Sequence, residues 1–100
     1  MSKLSKACDI SLEVRKEVKK RDNNQCIICG SSWGLQVAHF IPRSRLGLGI
    51  PQNLGLMCLK CHQSYDQSKY HKLYEKAFRE YLKQQYEDWD ESNLTYSKWR

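Results

Sequence analysis

Apolar residues recur at helical spacing at both ends of the chain. In the N-terminal part they lie among charged residues, with Ser11 as a candidate N-cap and Asn23-Asn24 as a stop signal. This pattern predicts a short basic helix over residues 11–21. In the C-terminal part, apolar side chains at three- and four-residue steps predict a helix over about residues 69–88. A shorter helix is expected to begin at Leu59 and to break near Gln67.

The segment between these helices has a different pattern. Residues 35–40 (LQVAHF) alternate, and residues 53–58 (NLGLMC) are short and apolar, so each predicts a strand. Residues 41–52 (IPRSRLGLGIPQ) contain two prolines and two glycines, which predicts a loop. The middle of the chain is therefore expected to form a β-hairpin.

Length and composition narrow the class of protein. One hundred residues, 40% hydrophobic and 28% charged, predict a single small domain over residues 1–100, with its core at about residues 21–66. No apolar run approaches the roughly 18 residues that span a bilayer, and the N-terminal residues lack the apolar core of a signal peptide. We therefore expect a cytoplasmic protein with reduced cysteines and no membrane partner.

Four of the five cysteines form two CxxC pairs with 28 residues between them, Cys26/Cys29 and Cys58/Cys61. Both thiolates of such a pair can reach one tetrahedral ion, and two pairs complete a closed zinc site that stabilises the fold. Two unrelated buried pairs, or a redox CxxC, are the alternatives. Cys8 stands apart and is expected to be a free thiol without a role.

A zinc ion shared by the two pairs would fix the geometry of the segment between them. It brings the turn at residues 26–29 beside the helix that begins at Leu59, with the hairpin between them. His39 on the first strand and His62 at the helix start should then lie close together. The predicted fold class is α+β: a small ββα-metal core stapled by a four-cysteine zinc site, with flanking N- and C-terminal helices.

Charge is placed unevenly along the chain. Of the net charge of +6, residues 1–22 and residues 23–62 each carry +3, and residues 63–100 sum to zero. Residues 23–62 contain no Asp or Glu at all. This distribution favours a phosphate-backbone partner, although many domains of this charge bind nothing anionic.

The order His39, Asn53 and His62, with CxxC units flanking it, resembles the HNH endonuclease family. The resemblance covers roughly residues 21–66 and rests on the segments AHFIPRS (38–44), GLGIPQN (47–53) and LMCLKCH (56–62). It implies a hydrolase that nicks or cuts DNA at phosphodiester bonds, similar to small HNH proteins encoded by phages.

The resemblance also implies a role for each of the three residues. His39 is the general base, since an imidazole with a pKa near 6.5 can take a proton from water. Asn53 orients His39 or braces the loop. His62 ligates a catalytic divalent cation, Mg²⁺, Mn²⁺ or another ion, distinct from the structural zinc. Taken singly, the three could equally be a half-buried histidine, a turn residue and a spare zinc ligand.

One position departs from the family pattern. The residue before the general base is usually an Asp or His that ligates the metal, but here it is Ala38. Asp66, four residues after His62, shares its helix face and is the candidate replacement ligand. The alternatives are that Asp66 is a surface or capping carboxylate, and that the site holds its metal weakly until DNA supplies oxygens.

The expected partner is double-stranded DNA, and phage or mobile-element proteins are candidate partners in a bacterial host or phage-infected cell. Phosphate contacts are predicted for five basic residues: Arg43, Arg45, Lys19, Lys20 and Arg21. One alternative function is a catalytically inactive four-cysteine zinc module that binds DNA. Another is a zinc-stabilised interaction domain that uses the aromatic C-terminal tail. His71 is expected to be an ordinary surface or packing residue, and the oligomeric state is left open.

Overall fold

The computed structural model describes residues 3–97, and the side chains of residues 6–97. It confirms the predicted α+β class, because an antiparallel hairpin is followed by a helix and flanked by N- and C-terminal helices, with the four cysteines clustered. The order of elements is α1 (Lys3–Cys8), α2 (Leu12–Arg21), β1 (Leu35–His39), β2 (Leu54–Cys58), α3 (Leu59–Gln67) and α4 (His71–Gln85), with short 3-10 turns at Arg43–Arg45, Pro51–Asn53 and Glu91–Asn93. The pattern of residues had not predicted α1.

Helix α2 begins and ends at recognisable signals. The Ser11 hydroxyl accepts a hydrogen bond from the Val14 amide at 3.1 Å, as an N-cap does. After the helix, Asn23 and Asn24 take positive φ angles of 56° and 53°, a left-handed conformation that asparagine tolerates better than most residues. Val18 is the buried residue of this helix and packs with residues of β2 in a small apolar cluster.

The two strands pair antiparallel with a register that runs from Leu35 opposite Cys58 to His39 opposite Leu54. Every residue of β2 is buried, whereas β1 is mostly half-exposed. Strand β2 therefore lies at the centre of the fold, with α2 against it, and β1 forms the outer strand that carries His39.

Helices α3 and α4 close the other side of the core. The break near Gln67 is present, since α3 ends there and the Ser68 hydroxyl accepts a hydrogen bond from the Tyr70 amide at 3.0 Å before α4 begins at His71. Phe78 of α4 is fully buried and packs edge-on against Phe40, with ring centroids 5.3 Å apart. The core thus lies between the hairpin and this helix pair.

The segment after α4 packs back onto the hairpin loop. The Trp89 indole donates to the Gln52 carbonyl at 2.8 Å, and Leu94 is only 2% exposed. Backbone hydrogen bonds join the Leu48 amide to the Leu94 carbonyl and the Tyr96 amide to the Leu46 carbonyl, each at 2.8 Å. The described part of the predicted aromatic tail is therefore a support for the loop; residues 98–100, including Trp99, lie outside the described residues.

Within residues 3–97, none of the helices has the length and apolar character needed to cross a membrane.

Candidate zinc site and active-site cleft

The four cysteines of the two CxxC pairs meet in one cluster. The sulfur atoms of Cys26, Cys29, Cys58 and Cys61 all lie within 4.8 Å of one another, and the Cys29 and Cys58 sulfurs are 3.6 Å apart. Four sulfurs at Zn–S distances of 2.3 Å in a tetrahedron are about 3.8 Å apart. The residues present therefore fit a structural zinc ion.

Backbone groups around the sulfurs complete the site. The Ile28 amide points at the Cys26 sulfur at 3.4 Å, and the Cys61 amide at the Cys58 sulfur at 3.5 Å. Cys58 is also the N-cap of α3. Burial raises the pKa of Cys26, but backbone hydrogen bonds to its sulfur, including the one from Ile28, outweigh this effect and lower the pKa to about 7.

Next to this cluster, the hairpin and α3 form a cleft of about 440 Å³. His39 of β1 and His62 of α3 both line it, in agreement with the expectation that a zinc ion shared by the two CxxC pairs would bring these histidines close together. The wall also contains Val37, Pro42, Arg43, Tyr65, Asp66 and His71. The structure thus brings a histidine from each arm of the hairpin–helix unit to one place.

His39 is held on one side of its ring. Its Nε2 atom lies 3.0 Å from the Cys8 carbonyl oxygen, and because a carbonyl only accepts hydrogen bonds, Nε2 carries the proton and Nδ1 has the free lone pair. Burial lowers the pKa of His39 below its ordinary 6.5; the bond to Cys8 opposes this, and the positive charges of Arg43 and Arg15 lower the pKa further. His39 is therefore a neutral imidazole at pH 7.

His62 is oriented by two partners on opposite sides of its ring. Its Nδ1 is 2.6 Å from the Gln36 amide oxygen, and its Nε2 is 3.4 Å from a carboxylate oxygen of Asp66. Neighbouring ligands on an octahedral ion at about 2.1 Å are about 3.0 Å apart. With Nδ1 donating to Gln36, the Nε2 lone pair and the Asp66 oxygen are placed to share one cation, so this pair fits the predicted metal ligands.

Asn53 is completely buried. Its side-chain oxygen accepts from the Ile41 amide at 2.8 Å, and its nitrogen donates to the carbonyls of Ile41 at 3.1 Å and Leu48 at 2.8 Å. Its own carbonyl accepts from the Phe40 amide at 2.7 Å. Of the two roles that the sequence left open, these bonds correspond to bracing the loop that follows His39.

Ala38 is 1% exposed and belongs to the main apolar core. A ligand side chain is therefore absent at this position, and the surroundings are apolar as well. Among residues 3–97, the four cysteines are the one group of three or more His, Cys, Asp or Glu residues close enough to hold a metal ion.

Four of the five basic residues predicted to bind DNA are accessible. Arg43 is half-exposed at the cleft and forms a 2.7 Å ion pair with Asp9, and Arg45, Lys19 and Lys20 are exposed. Arg21 is different, and the prediction for it needs correction. Its guanidinium is 12% exposed and donates to the carbonyls of Pro51 at 2.7 Å and Leu54 at 2.6 Å, so it is not available to DNA.

The structure also adds residues that the sequence had not indicated. The Cys8 carbonyl, Asp9 and Gln36 contact His39, Arg43 and His62 respectively. No sequence signal marks a backbone carbonyl, whereas Gln36 could have been found as a polar residue on the strand that carries His39. His71, predicted to be ordinary, lies in the cleft wall with Nε2 3.5 Å from Glu75.

Comparisons with known proteins agree with this geometry. Residues 26–68 match the family model described as HNH endonuclease. The fold is similar to part of the type IV phosphorothioation-dependent restriction endonuclease ScoMcrA, with a TM-score of 0.66 and 18% sequence identity over 79% of this chain. The chain spans 17% of the length of that protein. Among curated proteins, no match to the sequence is found.

Proposed function

Because the chain belongs to the HNH endonuclease family over residues 26–68, we propose that it is a metal-dependent DNA endonuclease that hydrolyses phosphodiester bonds. The observation that carries this proposal is that His39 and the His62–Asp66 pair line the same cleft. A general base and a candidate cation site in one cleft are the two parts that phosphodiester hydrolysis needs.

His39 is the proposed general base. Its Nδ1 lone pair takes a proton from a water molecule in the cleft, and the resulting hydroxide attacks phosphorus. Since burial lowers the pKa of His39, the ring is neutral and ready to accept that proton at neutral pH. Asn53 keeps the loop after His39 in place through its bonds to Ile41 and Leu48.

His62 and Asp66 are the proposed ligands of the catalytic cation, Mg²⁺, Mn²⁺ or another divalent ion. When bound, such an ion neutralises phosphate charge and stabilises the leaving 3′-oxygen. Gln36 keeps the proton of His62 on Nδ1, and Asp66 supplies the negative charge that Ala38 does not. The zinc ion proposed for the four cysteines is separate and structural.

Double-stranded DNA is the proposed substrate, and four accessible basic residues are its proposed contacts. Arg43 and Arg45 lie on the loop after the general base, and Lys19 and Lys20 are exposed on α2. Such side chains bind phosphates and position the duplex without reading its sequence. The similarity in fold to a restriction endonuclease supports DNA as the polymer.

We further propose that residues 1–100 act as one nuclease unit with its core at 21–66, and that it works in the cytoplasm of a bacterial host or phage-infected cell. The resemblance to small HNH proteins of phages supports this setting, and it makes phage or mobile-element proteins candidate partners. The contacts of the N- and C-terminal segments with the hairpin loop support a single unit.

The proposal is tested by nicking of supercoiled plasmid with Mg²⁺ or Mn²⁺. We expect His39→Ala to abolish nicking while zinc content and circular dichroism stay at wild-type values. His71→Ala is the matched control, since it removes another histidine from the same cleft, and it should retain most of the activity. Equal nicking by His39→Ala and wild type would refute the proposed base.

A metal titration tests the ligands. We expect Asp66→Ala to shift the Mn²⁺ concentration needed for half-maximal nicking at least tenfold, whereas Asp88→Ala, an exposed carboxylate of the C-terminal segment, should leave it unchanged. Equal effects of the two variants would show that Asp66 is not a ligand of the catalytic cation.

A second candidate function is a catalytically inactive zinc module that binds DNA. It is favoured by the burial of Ala38 in the core, which leaves two protein ligands for a catalytic cation. A wild-type protein that binds DNA at low salt but does not cleave it with any divalent ion would establish this alternative.

A further inference from the structure

We propose that residues Ala7–Asp9, here called the N-terminal strap, are a positioning element of the active site. The proposal rests on the nuclease function proposed above and deepens it. The strap lies outside residues 26–68, which match the family. It nevertheless touches the segment that carries the general base and the following loop at three points.

Each residue of the strap makes one of these contacts. The Ala7 carbonyl accepts a hydrogen bond from the Gly49 amide at 3.0 Å. The Cys8 carbonyl accepts from Nε2 of His39 at 3.0 Å, and the Asp9 carboxylate pairs with Arg43 at 2.7 Å. The strap therefore holds the general base and a neighbouring DNA-binding arginine together.

The contact with His39 decides which ring nitrogen can act as a base. A free imidazole exchanges its single proton between Nδ1 and Nε2 and can rotate its ring. An acceptor fixed at Nε2 holds the proton there, which leaves the lone pair on Nδ1 and limits ring rotation. The backbone carbonyl of Cys8 is this acceptor, so its contribution does not depend on the cysteine thiol.

The fit of the strap against the loop leaves no spare room. A Cβ atom added at Gly49 would lie 2.1 Å from the Asp9 carbonyl oxygen and 3.0 Å from that of Cys8. Gly49 does not have a positive φ angle, so an alanine there meets no backbone strain of its own. Gly49→Ala should therefore displace the strap without changing any group proposed to act on DNA.

The experiment measures the His39 tautomer and the nicking rate in the full-length, zinc-loaded protein. Two-bond ¹H–¹⁵N correlation spectra of ¹⁵N-labelled protein report which ring nitrogen is protonated, and the chain has only three histidines to assign. Wild type should show the Nε2–H tautomer at His39. Gly49→Ala should lose this preference, and its nicking rate should fall on the order of tenfold, the scale of one lost hydrogen bond.

Three further variants keep the test decisive. Cys8→Ala retains the carbonyl and should keep the wild-type tautomer and rate. Asp9→Ala releases the exposed end of the strap and should move both measurements in the direction of Gly49→Ala, by roughly two- to threefold in rate. Glu13→Ala removes the same charge from exposed α2 and should change neither, so it separates strap release from altered net charge.

Gly49→Ala with a wild-type tautomer and rate would overturn the proposal, as would a Cys8→Ala variant that loses as much as Gly49→Ala. If Gly49→Ala does not fold, an unchanged tautomer in Asp9→Ala overturns it. The tautomer is measured on the free protein, so a wild type that shows Nε2–H at His39 but never nicks DNA would refute the nuclease function and leave the positioning by the strap intact.

Discussion

Replacement of Asn53 should destabilise the protein far more than its position in a loop-flanking turn suggests. Asn53→Ala removes one accepted and two donated hydrogen bonds, and leaves the Ile41 amide and the carbonyls of Ile41 and Leu48 without their partner. A buried group left unsatisfied costs about 1–3 kcal/mol. Because water can reach part of the Leu48 contact, we expect a total loss of about 3–5 kcal/mol, a large share of the roughly 5–15 kcal/mol that stabilises a small domain.

The assay is urea unfolding of the zinc-loaded protein followed by circular dichroism, with the free energy of unfolding taken by linear extrapolation. Asn93→Ala, at an exposed asparagine of the C-terminal segment, is the matched control and should stay within about 0.5 kcal/mol of wild type. Asn53→Asp keeps the bond from the Ile41 amide but directs a carboxylate at two carbonyl oxygens. It should be at least as unstable as Asn53→Ala at pH 7 and recover partly in acid, where a protonated carboxyl can donate again.

The reasoning would be refuted by an Asn53→Ala protein that unfolds like the Asn93→Ala control but no longer nicks DNA. That result would mean that Asn53 acts on the reacting groups rather than on the loop. A loss of both stability and activity, with activity partly restored at low temperature where the variant is folded, is the expected pattern.

Three other predictions concern the zinc site, the pH dependence and the basic residues. Cys61→Ser should bind less than one zinc ion per chain by metal analysis and show much lower helicity, since a closed four-sulfur site contributes directly to folding. Burial lowers the pKa of His39 below 6.5 in the folded protein, so the unfolded chain binds the proton first and the stability of the protein should decline as pH falls below 6.5. Nicking should decline at a pH below 6.5, where His39 of the folded protein is protonated. A rise of activity with pH that is centred above pH 6.5 would contradict His39 as the base. Arg21→Leu should lower the free energy of unfolding by about 2–4 kcal/mol with little direct effect on DNA affinity, whereas Lys20→Leu should weaken DNA binding in a gel-shift assay and leave stability unchanged.

The parts of the fold that the sequence predicted are those fixed by local spacing. Two residues between the cysteines of a CxxC pair let both sulfurs reach one ion, which predicted the cysteine cluster. The alternating pattern of residues 35–40 predicted the first strand of the hairpin. Ser11 and Asn23-Asn24 marked the ends of α2 because capping depends on neighbouring residues alone. His39 and His62 meet in the cleft for the same reason, since the cysteines on either side bring them together.

The parts that the sequence did not predict depend on contacts between distant residues. In the sequence, Arg21 resembles its exposed neighbours Lys19 and Lys20. The next residue, Asp22, accepts a hydrogen bond from the Leu56 amide at 2.9 Å, and this contact holds the end of α2 against strand β2. The Cys8 carbonyl reaches His39 across 31 positions, and a carbonyl is common to every residue. Such pairings appear only when the helices are packed.

The proposed active site needs little scaffold because its two halves are joined by a short and rigid path. Strand pairing fixes His39 opposite Leu54, and β2 then runs without a linker from Cys58 into α3, where His62 directly follows Cys61. The proposed base His39 therefore connects to the proposed metal ligand His62 through five residues of strand and one turn of helix. The four cysteines clamp this turn against the knuckle at Cys26. A small core is sufficient for such a site, provided that the structural ion holds the clamp, and loss of that ion should separate His62 from His39 even where the strands stay paired.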